Sequence, residues 1–451
     1  MMKKYLVVAV VLATVCLSSA AFAADVTVNG FVGIRSRLFE GFDMNRSAAI
    51  TDATSRRSTE TAYRVDVNVK ADSAKAKLSV WNDYDAWGRT TRNDNTTNMG
   101  LGSNALNTSS TTVGGTSTLS RVFIREAWID VMIPGTPVGV KAGRMNTMIG
   151  NGWFFRSNYG GVDAWIAYAN VGPVTIALQD AKISENQATI GSNVDTSTND
   201  VDLYTAMVTA KLGDAGTVGL DFSALKDNTG LVLATPTWAA GQGTQGRLYN
   251  AALQANVKAG PATIKAEADY QWGYVEQAGG DTGYRGYQIV IQPSVKAGIV
   301  TINALAAMGS GNTANRPART AFVNFMDIGQ HYTLIYEYRI AGAGGANQGF
   351  VNTTALSVGA MVDVLKNLAV GADVYYLRAT EAVVLNGNTS ANPSRDLGWE
   401  VDAKLNWKIT KDVSWNWQVG YFAPGGAYNL AGDTGKADAA WGAQGILGLA
   451  F

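Results

Sequence analysis

The sequence predicts an all-β protein: a transmembrane antiparallel up-and-down β-barrel of eighteen strands, with sixteen as the alternative count. Three observations predict it. Apolar residues recur at every second position over strand-length segments, the period of a pleated strand whose side chains alternate between faces. The connections fall into two classes, turns of a few residues within pairs of segments and longer Ser-, Thr-, Asn- and Gly-rich ones between pairs, as expected of a barrel with one short-turn rim and one long-loop rim. No segment beyond the N-terminus offers a second layer to cover the apolar faces. The outer face is then expected to meet lipid and the inner face water.

The first residues read as a secretory signal. Lys3 and Lys4 precede an apolar run from Tyr5 to Leu17 and an Ala21-Phe22-Ala23 cleavage site, so residues 1–23 are expected to be removed and 24–451 to form one barrel domain. The run is too short for a retained spanning helix, which needs roughly 20 apolar residues. Cys16 is the single cysteine, and Ala13-Thr14-Val15 before it is a poor lipobox, so it is expected to leave with the signal. A chain without cysteine has no disulfides, thiol catalysis or soft-metal sites. Removing Lys3 and Lys4 from 36 basic residues leaves 34 against 36 acidic ones, a net charge of −2 that offers nothing to nucleic acid. The 50 Gly, 9 Pro, 12 Trp and 18 Tyr suit many glycine-relieved strands carrying aromatic anchors.

In order, Val26–Leu38 is the first strand segment. Tyr63–Lys70 and Ala74–Tyr84 flank Ala71-Asp72-Ser73, and Phe123–Ile133 and Val138–Met145 flank Pro134-Gly135-Thr136-Pro137. Gly161–Asn170 and Val174–Ile183 flank Gly172-Pro173, and Val201–Lys211 and Thr217–Lys226 flank a glycine-bounded turn at Gly213–Gly216. Tyr249–Lys258 and Ala262–Trp272 meet at Gly260-Pro261, Tyr284–Lys296 and Ile299–Met308 near Gly298, and Thr354–Val364 and Leu368–Leu377 at Leu365–Asn367. The clearest hairpin comes next. Trp399, Val401, Ala403, Leu405, Trp407 and Ile409 share one face, then Val413, Trp415, Trp417, Val419 and Tyr421, against Glu400, Asp402, Lys404 and Asn406 on the other. Ala439–Phe451 completes the set. Val201–Lys211 lacks a clean apolar face, Phe123–Ile133 needs Arg125 near a rim or a bulge, and the strand-like Gln330–Ile340 is assigned to a folded loop because it would upset the even count.

The chain ends Leu447-Gly448-Leu449-Ala450-Phe451, an outward-facing strand closed by an aromatic. This end resembles the C-terminal signature by which bacterial outer-membrane barrels are recognised for assembly, and with the signal and strand count the chain resembles the Gram-negative porins of the eighteen-strand, substrate-uptake type. In overall texture, including Arg125-Glu126-Ala127-Trp128 and Ala142-Gly143-Arg144, it also resembles the OmpJ-like channel proteins of metal-respiring deltaproteobacteria. The resemblance implies a passive diffusion channel for small hydrophilic solutes or ions, embedded in outer-membrane lipid and engaged by the barrel-assembly machinery through Phe451. It also implies that the third and seventh loops fold inward and narrow the pore. By order these are Asn146–Gly160, with Trp153, Phe154, Phe155, Arg156 and Tyr159, and Ser310–Phe350, with His331, Tyr332, Tyr336, Glu337, Tyr338 and Arg339. Aromatics that merely pack the loops onto the rim are an equal alternative.

Alternation places Arg35, Arg37, Arg64, Lys75 and Lys77 on the inner face of the first three strands, relieved by Asp66 and Asp83. Glu267, Asp269, Asp363, Asp373, Glu400 and Asp402 follow on later strands, with Lys265 and Lys404 among them. A basic wall facing an acidic one would set up a transverse field favouring small polar solutes. Solvated cross-strand pairs, each under about 1 kcal/mol, are the other reading. No enzyme activity, cofactor or metal is expected: His331 is the only histidine, and no Gly-x-Ser-x-Gly elbow accompanies it. A hydrolase in the wall would have to use His331. A structural or partner-binding barrel, an electron-transfer sheath or a surface-attachment protein, is the competing function. Monomer and homo-oligomer suit the apolar belt equally.

Overall fold

A computed structural model describes residues 24–41, 56–86, 122–184, 200–228, 243–277, 281–313, 319–326, 331–338, 340, 343, 348–385, 393–429 and 437–451. The expected signal at 1–23, with Cys16, lies outside these residues.

All eighteen expected segments are wall strands. They are β1 (Asp25–Glu40), β2 (Arg56–Lys70), β3 (Ala74–Ala86), β4 (Val122–Met132), β5 (Val138–Ile149), β6 (Phe155–Val171), β7 (Val174–Ser184), β8 (Val201–Lys211) and β9 (Gly216–Asp227). Then come β10 (Gly243–Ala259), β11 (Ala262–Gln277), β12 (Thr282–Ala297), β13 (Val300–Gly309), β15 (Thr353–Leu365), β16 (Leu368–Val383), β17 (Ser394–Lys408), β18 (Val413–Pro424) and β19 (Ala440–Ala450). A two-residue segment between β13 and β15, β14 (Phe325–Met326), lies against β6 and is not part of the wall. Each wall strand pairs antiparallel with its chain neighbours, and β13 pairs with β15.

The sheet closes where β1 meets β19, from Phe31↔Ala450 to Glu40↔Trp441. One step further the Gly30 N–H donates to the Phe451 carbonyl at 2.8 Å, and the Phe451 N–H returns to Gly30 at 3.1 Å. The Phe451 ring lies over Gly30, where a Cβ would come within 2.5 Å of it, so closure needs glycine there. Closure satisfies every edge N–H and C=O, which hydrocarbon would leave unpaired.

Trp399, Val401, Ala403, Val419 and Tyr421 are exposed on the outer surface, while Glu400 and Asp402 are buried inside. Phe222, Tyr249, Tyr270 and Trp272 stack on one another along the outside of β9–β11, with ring centroids 5.8–6.3 Å apart. Of the two options for Arg125, a rim position or a bulge, the structure has the bulge. The β3–β4 register jumps from Ser79↔Glu126 to Val80↔Ile124, leaving Arg125 as the extra residue, with its guanidinium 4.9 Å from the Trp81 ring.

Strands run further toward the long-loop rim than alternation indicates. β2 begins at Arg56 rather than Tyr63, β6 at Phe155 rather than Gly161, and β16 continues to Val383. Over β5–β10 the polarity there is inverted. Val162, Ala181, Val201, Leu203, Leu225 and Leu248 are buried inside, while Arg144, Asp163, Lys182, Asp202, Lys226 and Arg247 form one paired row outside. Apolar residues face a filled interior and charges face out, so an apolar-out pattern stops although the ladder continues. That is also why Val201–Lys211 lacks a clean apolar face.

Arginine in place of Ala403, mid-belt and outward on β17, should lower unfolding stability in lipid vesicles by about 2–4 kcal/mol. Arginine at the inward Asn406 should cost under about 1 kcal/mol in the same denaturant titration.

Candidate functional site

Among the described residues, two segments enter the barrel from the long-loop rim. The first is the tip of the β5–β6 hairpin. The expected loop Asn146–Gly160 is mostly strand, leaving only residues 150–154 as a turn. A register shift after Met145 bends the hairpin, and Gly150 (φ 62°) and Gly152 (φ 85°) supply the left-handed backbone of its turn. The tip crosses to β11. The Asn151 and Trp153 N–H groups both donate to the Glu267 carboxylate, and the Asn151 side-chain amide donates to the Ala266 carbonyl at 2.8 Å. A Cβ on Gly150 would collide with that carboxylate.

The second segment is the long connection between β13 and β15. It descends onto β17, where Ile335 and Tyr336 N–H donate to the two Glu400 oxygens at 2.6 and 2.8 Å, and Leu334 N–H donates to Asp402 at 3.1 Å. The described part of Gln330–Ile340 is therefore turn inside the barrel, as expected, and not a wall strand. The Tyr336 hydroxyl bonds Thr353 and accepts from Ala343 N–H; burial pushes its pKa up to about 12, so it stays neutral. The two segments also meet each other. Trp153 lies 4.6 Å from Phe350, Phe154 packs edge-on against Phe322 and Phe325, and Phe325 N–H donates to the Phe154 carbonyl at 2.7 Å.

This corrects the expected acidic wall. Glu267, Asp269, Glu400 and Asp402 do point inward, but each is at most 4% exposed. Covered by loop backbone or by neighbouring amides, they are anchors rather than water-facing charges. Asp269 accepts from the side chains of Asn250 at 3.0 Å and Gln288 at 3.3 Å. A buried carboxylate needs such donors, and backbone N–H groups of a tight turn supply them. The aromatics Trp153, Phe154, Phe155, Tyr332 and Tyr336 are likewise buried in packing, whereas Arg156, His331 and Tyr338 keep partial exposure.

The basic wall is neutralised locally. Arg35 and Arg37 share Glu60 at 2.6 and 2.7 Å, Arg64 pairs with Asp66 at 2.9 Å, and Lys77 bridges to Glu126 and Asp66. Lys404 meets Asp373 at 2.6 Å, and Asp363 meets Lys296 at 3.0 Å near the turn rim. Lys75 and Lys265 are exposed. The side chains of Asp83 and Tyr159, and the whole of Arg339, lie outside the described residues. Alternation starts the second strand segment at Tyr63 and so does not reach Glu60. Glu126 was missed at the bulge, although counting back from the outward Ile129 and Ala127 places it inside.

Beside the loops, among the described residues, lies a cleft of about 260 Å³ whose lining includes Arg35, His331, Tyr338, Lys404, Gln418 and Gln444. Gln444 donates to Gln418 at 2.7 Å, and His331 Nδ1 lies 2.6 Å from Glu337, its ring 4.0 Å from Tyr338. Its cations already have carboxylate partners, so the cleft is polar without a strong net sign. Alternation puts Gln418 on the polar face of its strand, and Gln444 likewise, but neither carries a charge that would single it out as pore-lining in the sequence.

Replacing Glu400 by Ala removes the acceptor of two loop N–H groups, each bond to a charged group being worth about 1.5–3 kcal/mol. Hydrogen exchange at Ile335 and Tyr336 should accelerate by at least tenfold while the β17–β18 ladder stays protected.

No family model and no curated protein matches the chain. Solved structures do. A BenF-like porin from Pseudomonas fluorescens Pf-5 superposes with a TM-score of 0.57 at 10% identity, covering 95% of this chain and 98% of that one. OpdF of Pseudomonas aeruginosa, solved in complex with glucuronate, gives 0.54 at 11% identity over 95% and 96% of the two chains. OpdK of the same organism, solved with vanillate, gives 0.52 at 11% identity over 94% and 98%. At these identities the likeness is one of fold, and it spans both chains almost entirely: a closed wall of eighteen strands, the fold of the eighteen-stranded outer-membrane porins.

Proposed function

We propose that the protein is a passive diffusion channel of a Gram-negative outer membrane, passing small hydrophilic solutes through the cleft beside the β13–β15 loop. The observation that carries this reading is the contrast between the two sides of the wall. Outside is a lipid-compatible apolar belt; inside, Arg35, Lys404, Gln418, Gln444 and His331 surround a polar opening. Water in the cleft replaces hydrocarbon along the solute's path, and the anchored loops set the width. The local ion pairs argue against a strong transverse field and for weak charge selectivity. The solved porins with glucuronate and vanillate fit a substrate class of small polar organic molecules.

A sheath for a partner protein fits less well, because the chain's own loops occupy the lumen around Trp153, Phe350 and Tyr336. His331, held between Glu337 and Tyr338, is assigned to loop structure and not to catalysis. The outward Phe451 at the closing seam supports recognition of the last strand by assembly machinery.

Purified protein in planar bilayers should give discrete conductance steps. Lys404→Glu, which places a like charge beside Asp373, should shift the reversal potential in a salt gradient toward cation preference. A barrel that never conducts would defeat the channel reading.

A further inference from the structure

The outer surface holds an anomaly that the channel does not use. On β17 the outward apolar series from Trp399 runs to Ile409, about 25 Å of hydrocarbon at 3.3 Å per residue and a tilt near 40°. On β7 the series Val174, Ile176, Leu178 ends after about 10 Å, because the next outward residue is Asp180. Asp180 is exposed and has no ion pair or hydrogen bond among the described residues; Lys182, the cation that acts on it electrostatically, is already paired with Asp200 and Asp202. Its paired neighbours are Trp165 on β6 and Tyr204 on β8. Two strands away on β5, Arg144 also points outward. Its Nε and Nη2 grip Asp163 at 3.0 and 2.6 Å, which leaves Nη1 unengaged by that pair.

We propose that the face formed by β5–β8 is the interface of a two-fold dimer of this chain, in which Arg144 of each copy meets Asp180 of the other. Arg144 lies six residues above Val138, the start of β5, and Asp180 six above Val174, the start of β7. Both therefore stand about 15 Å above the turn rim. The paired row through Arg144, Asp163 and Lys182 climbs from β5 toward β10, since Arg247 in the same row is twelve residues above Ala259. Crossing two strands toward β7 raises the row by about 6 Å, and stepping back two residues to Asp180 lowers it by about 5 Å.

Cation and anion thus share one depth, about 12 Å apart around the wall. A two-fold axis along the membrane normal, midway between them, superposes each on the other's opposite number. Such an axis is the operator of an isologous contact. Ala142, outward on β5 and paired with Trp165, falls within about 2 Å of that axis and lets the walls approach. Beside it a depression of about 430 Å³, lined among others by Trp165, Ala167, Leu178, Tyr204, Ala206 and Phe222, gives the face relief to interlock. The second copy supplies Asp180 with a counter-ion where lipid tails would supply none.

The inference rests on the barrel standing in a bilayer but not on its conducting. Since the only cysteine is Cys16 in the expected signal, Ala142→Cys introduces a single thiol into the full chain in its native membrane. Oxidation should yield a disulfide-linked species of twice the mass. Leu253→Cys, equally outward on β10, should stay monomeric. Asp180→Arg should reduce the Ala142→Cys product at least tenfold and convert the detergent-purified protein from dimer to monomer. Single-channel conductance and heat-modifiable gel migration should be unchanged, which separates this proposal from the channel reading. No more cross-linking at Ala142→Cys than at Leu253→Cys, or cross-linking indifferent to Asp180→Arg, would overturn it. So would a trimer, a cross-linked species containing a different protein, or a monomer carrying bound lipid at this face.

Discussion

Everything in this molecule follows from the need to pair every backbone N–H and C=O in a medium that offers no water. Hydrocarbon tolerates a sheet only when its edges are joined. The seam between β1 and β19 is the place where that is achieved, and the details at the seam are correspondingly strict: reciprocal bonds between Gly30 and Phe451, with an aromatic ring occupying the space that a side chain at residue 30 would need. Once closed, the wall has an inside and an outside. The alternation of side chains along each strand then gives the two surfaces their different chemistry.

A closed wall of eighteen strands leaves a lumen too wide for wall side chains alone to fill. Among the described residues, two loop-rim connections turn inward, and both use the same device. A pair of acidic residues two positions apart on an inward strand face, Glu267 and Asp269 or Glu400 and Asp402, sits beneath the incoming segment. Glu267, Glu400 and Asp402 accept loop N–H groups directly, while Asp269 is satisfied by Asn250 and Gln288 beside them. The loops bring their own aromatic core, in which Trp153 and Phe350 join them to each other. Acidic residues that alternation assigns to a water-filled pore thus become the fastening for what narrows it.

The interior cations are balanced with similar economy. Glu60, Asp66, Glu126 and Asp373 each neutralise cations on the same or a neighbouring strand, so the interior presents polarity without a dominant sign. That suits a path for varied small solutes more than a filter for one ion. On the outside, the polarity inversion over β5–β10 shows the wall acting in two regimes: an apolar-out belt near the turns and an apolar-in barrel near the loops.

Much of this was legible in the residues. The alternation between Trp399 and Tyr421, the turn residues and the two classes of connection were enough for fold class, strand number, pairing and the inward or outward sense of most side chains, because each of these is decided by neighbours in sequence. An exception at Arg125, near a rim or at a bulge, was also readable because the charge breaks a local apolar pattern, whereas the exclusion of Gln330–Ile340 rested on the even strand count of the whole barrel. What touches what across the lumen was not. That Glu400 holds Ile335 and Tyr336, that Glu267 holds Asn151, and that Arg35 shares Glu60 with Arg37 depend on segments brought together only by closure. No local period encodes such contacts. Strand ends escape the alternation for the same reason: beyond the belt, the ladder of backbone bonds persists while the side chains respond to whatever loop lies inside.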